Sequence, residues 1–357
     1  MAFQTAPGYN SLPNGNFSPT IYSKKVQLAF RTKSTVADIT NSEYFGEISG
    51  AGDTVRIIKE PNITVAAYSR GKKLTPQDLD DEDFQMVIDK ANEFSFKMDD
   101  IEELHSHVGF TGMASSKAGY ELAKQHDMEV LGYMTGYKQS SVGSVADTVN
   151  DQVNGTKAVD TAGSDELLTS MKIIKSSMTN ITTASAGDHS IPLGVRLPGA
   201  TANPTAFATA YMVVSRMARL LDDQFVPAEN RFLVISPILK ELLRDEDSRF
   251  LNADWGASGD LRSGGAPIDI AGFKVYCSSH LPSVGTGPST SGTANQNSNY
   301  GAIVAGHMSA VATADQMNKV ESFRSQDTFA DIVRGLHLYG RKILKPEALV
   351  TAKYNIA

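Results

Sequence analysis

Residues 52–131 read GDTVRIIKEPNITVAAYSRGKKLTPQDLDDEDFQMVIDKANEFSFKMDDIEELHSHVGFTGMASSKAGYELAKQHDMEVL, and the fold turns on how this stretch divides. Two arms, 54–68 and 84–97, show the period-two alternation of half-buried strands: Val55 and Ile57, then Ile63, Val65 and Ala67, and on the return Phe84, Met86, Ile88, Phe94 and Phe96. Pro61 cannot donate to a ladder, so the first arm is an edge or bends there. Between the arms, 69–83 carries Arg70, Lys72 and Lys73 and then Asp78, Asp80, Asp81, Glu82 and Asp83. A ribbon of this length has too little apolar surface to fold back on its own domain, and it is expected to lie on something else.

After the return arm the period changes to that of a helix. Ile101, Leu104, Val108, Thr111, Ser115, Ala118 and Leu122 recur at steps of three and four, with Asp99 or Asp100 as the N-cap and Glu102 and Glu103 in the first turn. Gly109, Gly112 and Gly119 weaken this helix by about 1 kcal/mol each relative to alanine, so it requires tertiary support.

The 357 residues suffice for about two domains, and 41% apolar with 20% charged residues is ordinary globular composition. A formal net charge of −7 argues against a protein that works by neutralising nucleic-acid phosphates. The single cysteine, Cys277, excludes an intrachain disulfide framework. The opening MAFQTAPGYNSLPNGNFSP has neither a basic start nor an apolar core, so no secretory signal is read there; no run approaches the length of a membrane span.

Along the rest of the chain, 1–20 reads as an arm, with a short strand around Val26, Leu28 and Phe30. Residues 137–166 and 283–299 are polar, Gly/Ser-rich loops, and 167–174 reads as a short helix. Asn203-Pro204 opens a helix whose face is Phe207, Tyr211, Val214, Met217 and Leu221, with Val226-Pro227 as its stop. Arg231–Ile235 is a buried-strand run, and Ser236-Pro237 starts another helix. Ile270, Phe273, Val275 and Cys277 flank a turn at Ala271-Gly272, and Ala302–Ala305 is a small strand. The region 320–352 suggests two strands joined near 336–340.

No pattern of reactive residues carries chemistry. Asp78, Asp80, Glu82 and Asp89 match calcium-loop positions, but Asp83 stands where that loop requires glycine. His105 and His107 are two apart rather than four, and Cys277 alternates with core residues. No phosphate loop or nucleophile elbow is present, so no catalytic, cofactor or metal site is read.

Four blocks, in order, resemble tailed-phage major capsid proteins of the Hong Kong 97-like fold: GDTVRI at 52–57, LTPQDLDDEDFQMVIDKANEFSFKMDDIE at 74–102, LLDDQFVPAENRFLVISP at 220–237 and KVESFRSQDTFADIVRGLHLYGRKILKPEALV at 319–350. The resemblance implies an α+β capsid fold with an N-terminal arm (1–45), an extended β-hairpin loop (46–98), a peripheral domain with spine helix and insertion (99–224), an axial domain (225–310) and a peripheral return (311–357). It implies a non-enzymatic shell subunit that meets copies of itself in hexamers and pentamers, encloses double-stranded DNA, works with scaffolding, portal and decoration proteins, and resides in the virion. The charged residues of the tip, Arg70, Lys72, Lys73, Asp78, Asp80, Asp81, Glu82 and Asp83, are then expected to be inter-subunit contacts. Some family members crosslink through a lysine in this loop, where Lys72 and Lys73 stand, but no asparagine or glutamate partner is identified. An encapsulin-like compartment on the same fold is the alternative, and an unrelated enzyme with Asp78–Asp83 in a cleft is a third reading.

Overall fold

The computed structural model describes residues 34–43, 54–58, 83–99, 110–136, 167–173, 191–194, 208–243, 269–284, 300–326 and 329–356, with isolated positions between 63 and 77 and at 178. In chain order the elements are α1 (Val36–Ile39), β1 (Thr54–Ile58), β2 (Asp83–Val87), β3 (Lys90–Asp99), α2 (Phe110–Thr135), β4 (Lys172–Ile173), β5 (Ile191–Leu193), α3 (Ala210–Asp223), β6 (Arg231–Ile235), α4 (Pro237–Leu243), β7 (Asp269–Ile270), β8 (Phe273–Cys277), β9 (Ser283–Val284), β10 (Tyr300–His307), β11 (Val311–Arg324), β12 (Ala330–Ile343) and β13 (Leu349–Ile356).

Eight strands form one mixed sheet in the order β4-β13-β10-β6-β8-β7, with β5 beside β13 and β9 beside β10. Strand β6, RFLVI, is buried throughout, because both of its faces are covered. Leu233 and Ile235 pack with Val213, Val214, Met217 and Leu221 of α3 and Leu239 and Leu243 of α4. Phe232 and Val234 face the other way, against Val130, Leu131 and Met134 of α2. Burial of each such side chain stabilises by roughly 1.5–3 kcal/mol, which is why neither face tolerates polar residues.

Local chemistry sets the element ends. Thr209 caps α3 by accepting from the Met212 amide, and Ser236 caps α4 by accepting from the Leu239 amide at 3.2 Å. Ala271 (φ 51°) and Gly272 (φ 82°) are both left-handed, as the two-residue turn between β7 and β8 demands.

The second sheet is antiparallel, in the order β11-β12-β3, and α2 is packed against it. The last turns of α2 are fully enclosed at Asp127, Val130, Leu131, Tyr133 and Met134, whereas residues 112–126 are half-buried or exposed. At about 1.5 Å per residue this helix is about 39 Å long, so it is anchored at one end and lies across the sheet with the other.

Several expectations are corrected. The return arm is not one strand: it divides at Ile88-Asp89, with β2 pairing β1 and β3 pairing β12 instead. Asp99 is the last strand residue, opposite Ala330, and is not a helix cap. Strand β12 runs unbroken through 336–340, and the connection to β11 lies at 325–329. Residues 167–174 hold a single 3-10 turn at Thr169–Met171 and then β4. After β12 a turn at Pro346–Ala348 redirects the chain, and β13 enters the eight-stranded sheet between β4 and β10. Strands β4 and β5 pair with β13 in that sheet, and the apolar face of helix α3 packs into its core. The helix expected to open at Asn203-Pro204 begins instead at Ala210, because Ala208 bridges Leu193 and Thr209 is the cap. The strand at Val26–Phe30, the loop 137–166 and His105 and His107 lie outside the described residues.

Candidate assembly surfaces

The hairpin of β1 and β2 is rooted and then left uncovered. The register Val55↔Met86 and Ile57↔Phe84 aligns the apolar positions of both strands. At the root, buried Met86 and Ile88 join Ala312, Ala314 and Leu344, with Val55, Ile57 and Leu338 against them. Gly340 makes this approach possible: a Cβ there would lie 2.8 Å from the Val87 carbonyl oxygen and 3.1 Å from Ile88. Further out, Ile63 is 66% exposed and Val65 is 92% exposed, so among the described residues these two apolar side chains of the outer arm are largely uncovered.

The tip turns at Gly71, with φ +87°, between exposed Arg70 and Lys73. Asp83 takes its place in β2 opposite Ile58. Lys72, Asp78, Asp80, Asp81 and Glu82 lie outside the described residues, so the acidic half of the tip is not located.

A polar network that periodicity does not reveal holds α2 to its surroundings. Asp127 is fully buried and accepts from Ser34 Oγ at 2.6 Å and from the Thr35 amide at 3.1 Å, with His280 Nδ1 at 3.3 Å. Burial opposes ionisation of Asp127, but the bonds from His280, Ser34 and Thr35 outweigh it and hold the carboxyl below its ordinary range. Two residues further along α2, Glu129 accepts from Tyr339 and also lies 3.9 Å from buried Arg341. Burial, reinforced by the Glu129 carboxylate, pushes the Tyr339 phenol well above its usual value.

Beside these, His126 stacks edge-on against His337 and Tyr339, with ring centroids 5.3 and 4.6 Å away. His337 Nε2 lies 3.2 Å from Asp315, next to the bulge at Asp315/Met317 in β11. Burial lowers the His126 pKa, opposed by Asp315 and seconded by His337. This cluster forms the floor of a cavity of about 450 Å³ between α1, α2 and the three-stranded sheet; Ser115, Gly119 and Ala123 line its helix side.

Cys277 is half-buried in β8, and burial raises its thiol pKa, which disfavours the nucleophilic thiolate. Among the described residues no group of three or more His, Cys, Asp or Glu side chains is placed to hold a metal ion, and no helix is long and apolar enough to cross a membrane.

A rooted hairpin with uncovered outer residues, a long helix over a three-stranded sheet and a separate eight-stranded sheet make up the Hong Kong 97-like fold of phage capsid proteins. The chain is similar to a solved chain of Mycobacterium phage Che8, with a TM-score of 0.65 and 21% identity over 94% of this chain and 97% of that one. It is also similar to the capsid of Cyanophage P-SCSP1u (TM-score 0.61, 18% identity, 96% and 94% covered) and to the capsid of Ralstonia phage GP4 (0.62, 11%, 99% and 99%). No protein-family model matches the sequence, and no curated protein sequence matches it.

Proposed function

We propose that this chain is a major capsid protein, which assembles with copies of itself into hexamers and pentamers of an icosahedral phage head around double-stranded DNA. The observation that carries this is the hairpin. Its root is fixed by Met86, Ile88 and Gly340, while Ile63 and Val65 are presented to solvent on an arm that its own subunit does not cover. An exposed apolar arm is a liability in a monomer and a contact in a shell. End-to-end similarity to phage capsid structures supports the same reading.

In this reading α2 and the three-stranded sheet form the peripheral domain, and the eight-stranded sheet forms the axial domain. The tip residues Arg70, Lys72, Lys73, Asp78, Asp80, Asp81, Glu82 and Asp83 contact a neighbouring subunit. Every subunit meets several neighbours, so closure makes individually moderate contacts collectively strong. The net charge of −7 suits a container that must not hold its DNA tightly. Scaffolding, portal and decoration proteins are the further partners, the virion is the location, and no enzymatic step is assigned. An encapsulin-like compartment is not favoured, since the similar structures described above come from phages.

Electron microscopy of the expressed chain, alone and with scaffolding protein from the same source, tests the proposal. Closed shells are expected. Only monomers or small fixed oligomers under both conditions would overturn it.

A further inference from the structure

The turn between α3 and β6 holds a phenylalanine where its own subunit gives it nothing to do. Helix α3 ends at Asp223, and the Phe225 amide donates to the Asp222 carbonyl at 3.0 Å while the Val226 amide donates to the Leu221 carbonyl at 3.1 Å. The residue after such a helix end adopts a left-handed conformation, and glycine is the usual occupant. Phe225 stands there with φ 57°, a region that bulky side chains disfavour. Its side chain is 94% exposed, so no contact within the subunit offsets the strain.

The turn is also braced from beneath. Buried Arg231 donates through Nε to the Pro227 carbonyl at 2.8 Å and through a terminal nitrogen to the Val226 carbonyl at 2.5 Å; the same nitrogen lies 2.8 Å from Asp222. The Met308 amide reaches the Asn230 carbonyl at 3.4 Å. The aromatic ring is therefore carried on a fixed support and needs little further ordering on contact, as binding anchors require.

We propose that Phe225 is such an anchor, and that its occupant is the hairpin of a second copy of this chain. The inference rests on the reading of the chain as a shell subunit. Asp222 and Asp223 are exposed beside the turn and pair with Arg231 at 2.8 Å and Arg219 at 3.5 Å. Glu229 is exposed further along, so the balance of these groups stays acidic and disfavours a polyanion such as DNA. The hairpin offers the complement: apolar Ile63 and Val65, and exposed basic Arg70 and Lys73. Both surfaces are exposed in the single subunit, which leaves each available to a second copy.

The test uses the full chain. With p-benzoylphenylalanine at position 225, irradiation of assembled particles gives a subunit dimer whose crosslinked peptide lies within residues 54–87. In parallel, F225G relieves the left-handed strain: its subunit melting temperature does not fall, yet its critical concentration for assembly rises by about tenfold or more. The conservative F225Y assembles near the unaltered level. A crosslink mapping elsewhere, no crosslink, a lowered melting temperature for F225G, or assembly of F225G at the unaltered concentration overturns the inference alone. Failure of the unaltered chain to form particles overturns the shell reading, and the inference falls with it.

Discussion

Asp127 and His280 form a buried pair, Oδ2 to Nδ1 at 3.3 Å, that joins the long helix α2 to the loop beyond β8. The same carboxylate holds Ser34 and Thr35 at the entry to α1, so one side chain fastens three separate segments. D127A leaves two donors and a histidine without their acceptor in the interior, and should destabilise by about 3–5 kcal/mol. The carboxyl pKa is lowered in the folded state, so the stabilisation is present above the ordinary carboxylate value and is lost as pH falls through the lower folded value. Thermal melting of the unassembled subunit should show a steep loss of stability below about pH 4 that D127N reduces. An unchanged acid limb in D127N contradicts this.

His126 gives an acid response of the opposite origin. Its folded pKa is lowered chiefly by burial, so the unfolded state takes up the proton first as pH falls below about 6.5. Stability is therefore fully present above that value and declines as pH drops through it. Asp315, Asp127 and Glu129 soften the effect, and His337 sharpens it. H126Q should flatten the dependence of melting temperature on pH between about 7 and 5 relative to the unaltered subunit. Parallel curves for the two proteins would exclude His126 as the source.

Two glycines should respond in opposite directions. Gly340 faces the Val87 carbonyl at the root of the hairpin, so G340V must displace backbone and should cost on the order of 1–3 kcal/mol. Gly119, within α2, has open space where a Cβ would stand, and G119A should stabilise by about 1 kcal/mol. Chemical denaturation of the two variants separates the cases; stabilisation by G340V would show that the hairpin root is not packed there.

What was legible in the sequence is what neighbours in the chain decide. The unbroken apolar run of β6, the Val214, Met217 and Leu221 part of the α3 stripe, the proline start of α4 and the Ala271-Gly272 turn each follow from local pattern and appear as read, whereas Phe207 falls before the helix, which starts at Ala210. Pairing across distance was not legible. Phe94 and Phe96 alternate like the hairpin residues before them, yet their strand belongs with β12, because period two fixes a face and not a partner. Gly340 falls in the stretch expected to join two strands, but it and Gly335 stand mid-strand, where Val87 and the Phe94 ring come close. Asp127 and His280 are separated by 153 positions, and nothing at either one announces the other. The conformation of Phe225 is likewise absent from its letter.

The hairpin tip offers the sharpest separation of folding from assembly. Its root contributes buried Met86 and Ile88 to a core cluster, but Ile63, Val65, Arg70 and Lys73 are all exposed. Deleting 69–83 and closing the gap with a short glycine-serine link therefore removes no described buried side chain. The subunit should keep its circular dichroism spectrum and cooperative melting while losing stable shells. Substituting Arg70, Lys72 and Lys73 together by glutamate keeps the arm but reverses its basic face, and should weaken assembly. If these charges face acidic groups of a neighbour, the difference between this variant and the unaltered chain shrinks as salt is raised, because exposed pairs are screened within about 8 Å at physiological ionic strength. A deletion product that unfolds would place the tip in the core. A charge-reversed chain that assembles like the unaltered one at low salt would remove the tip from the contact.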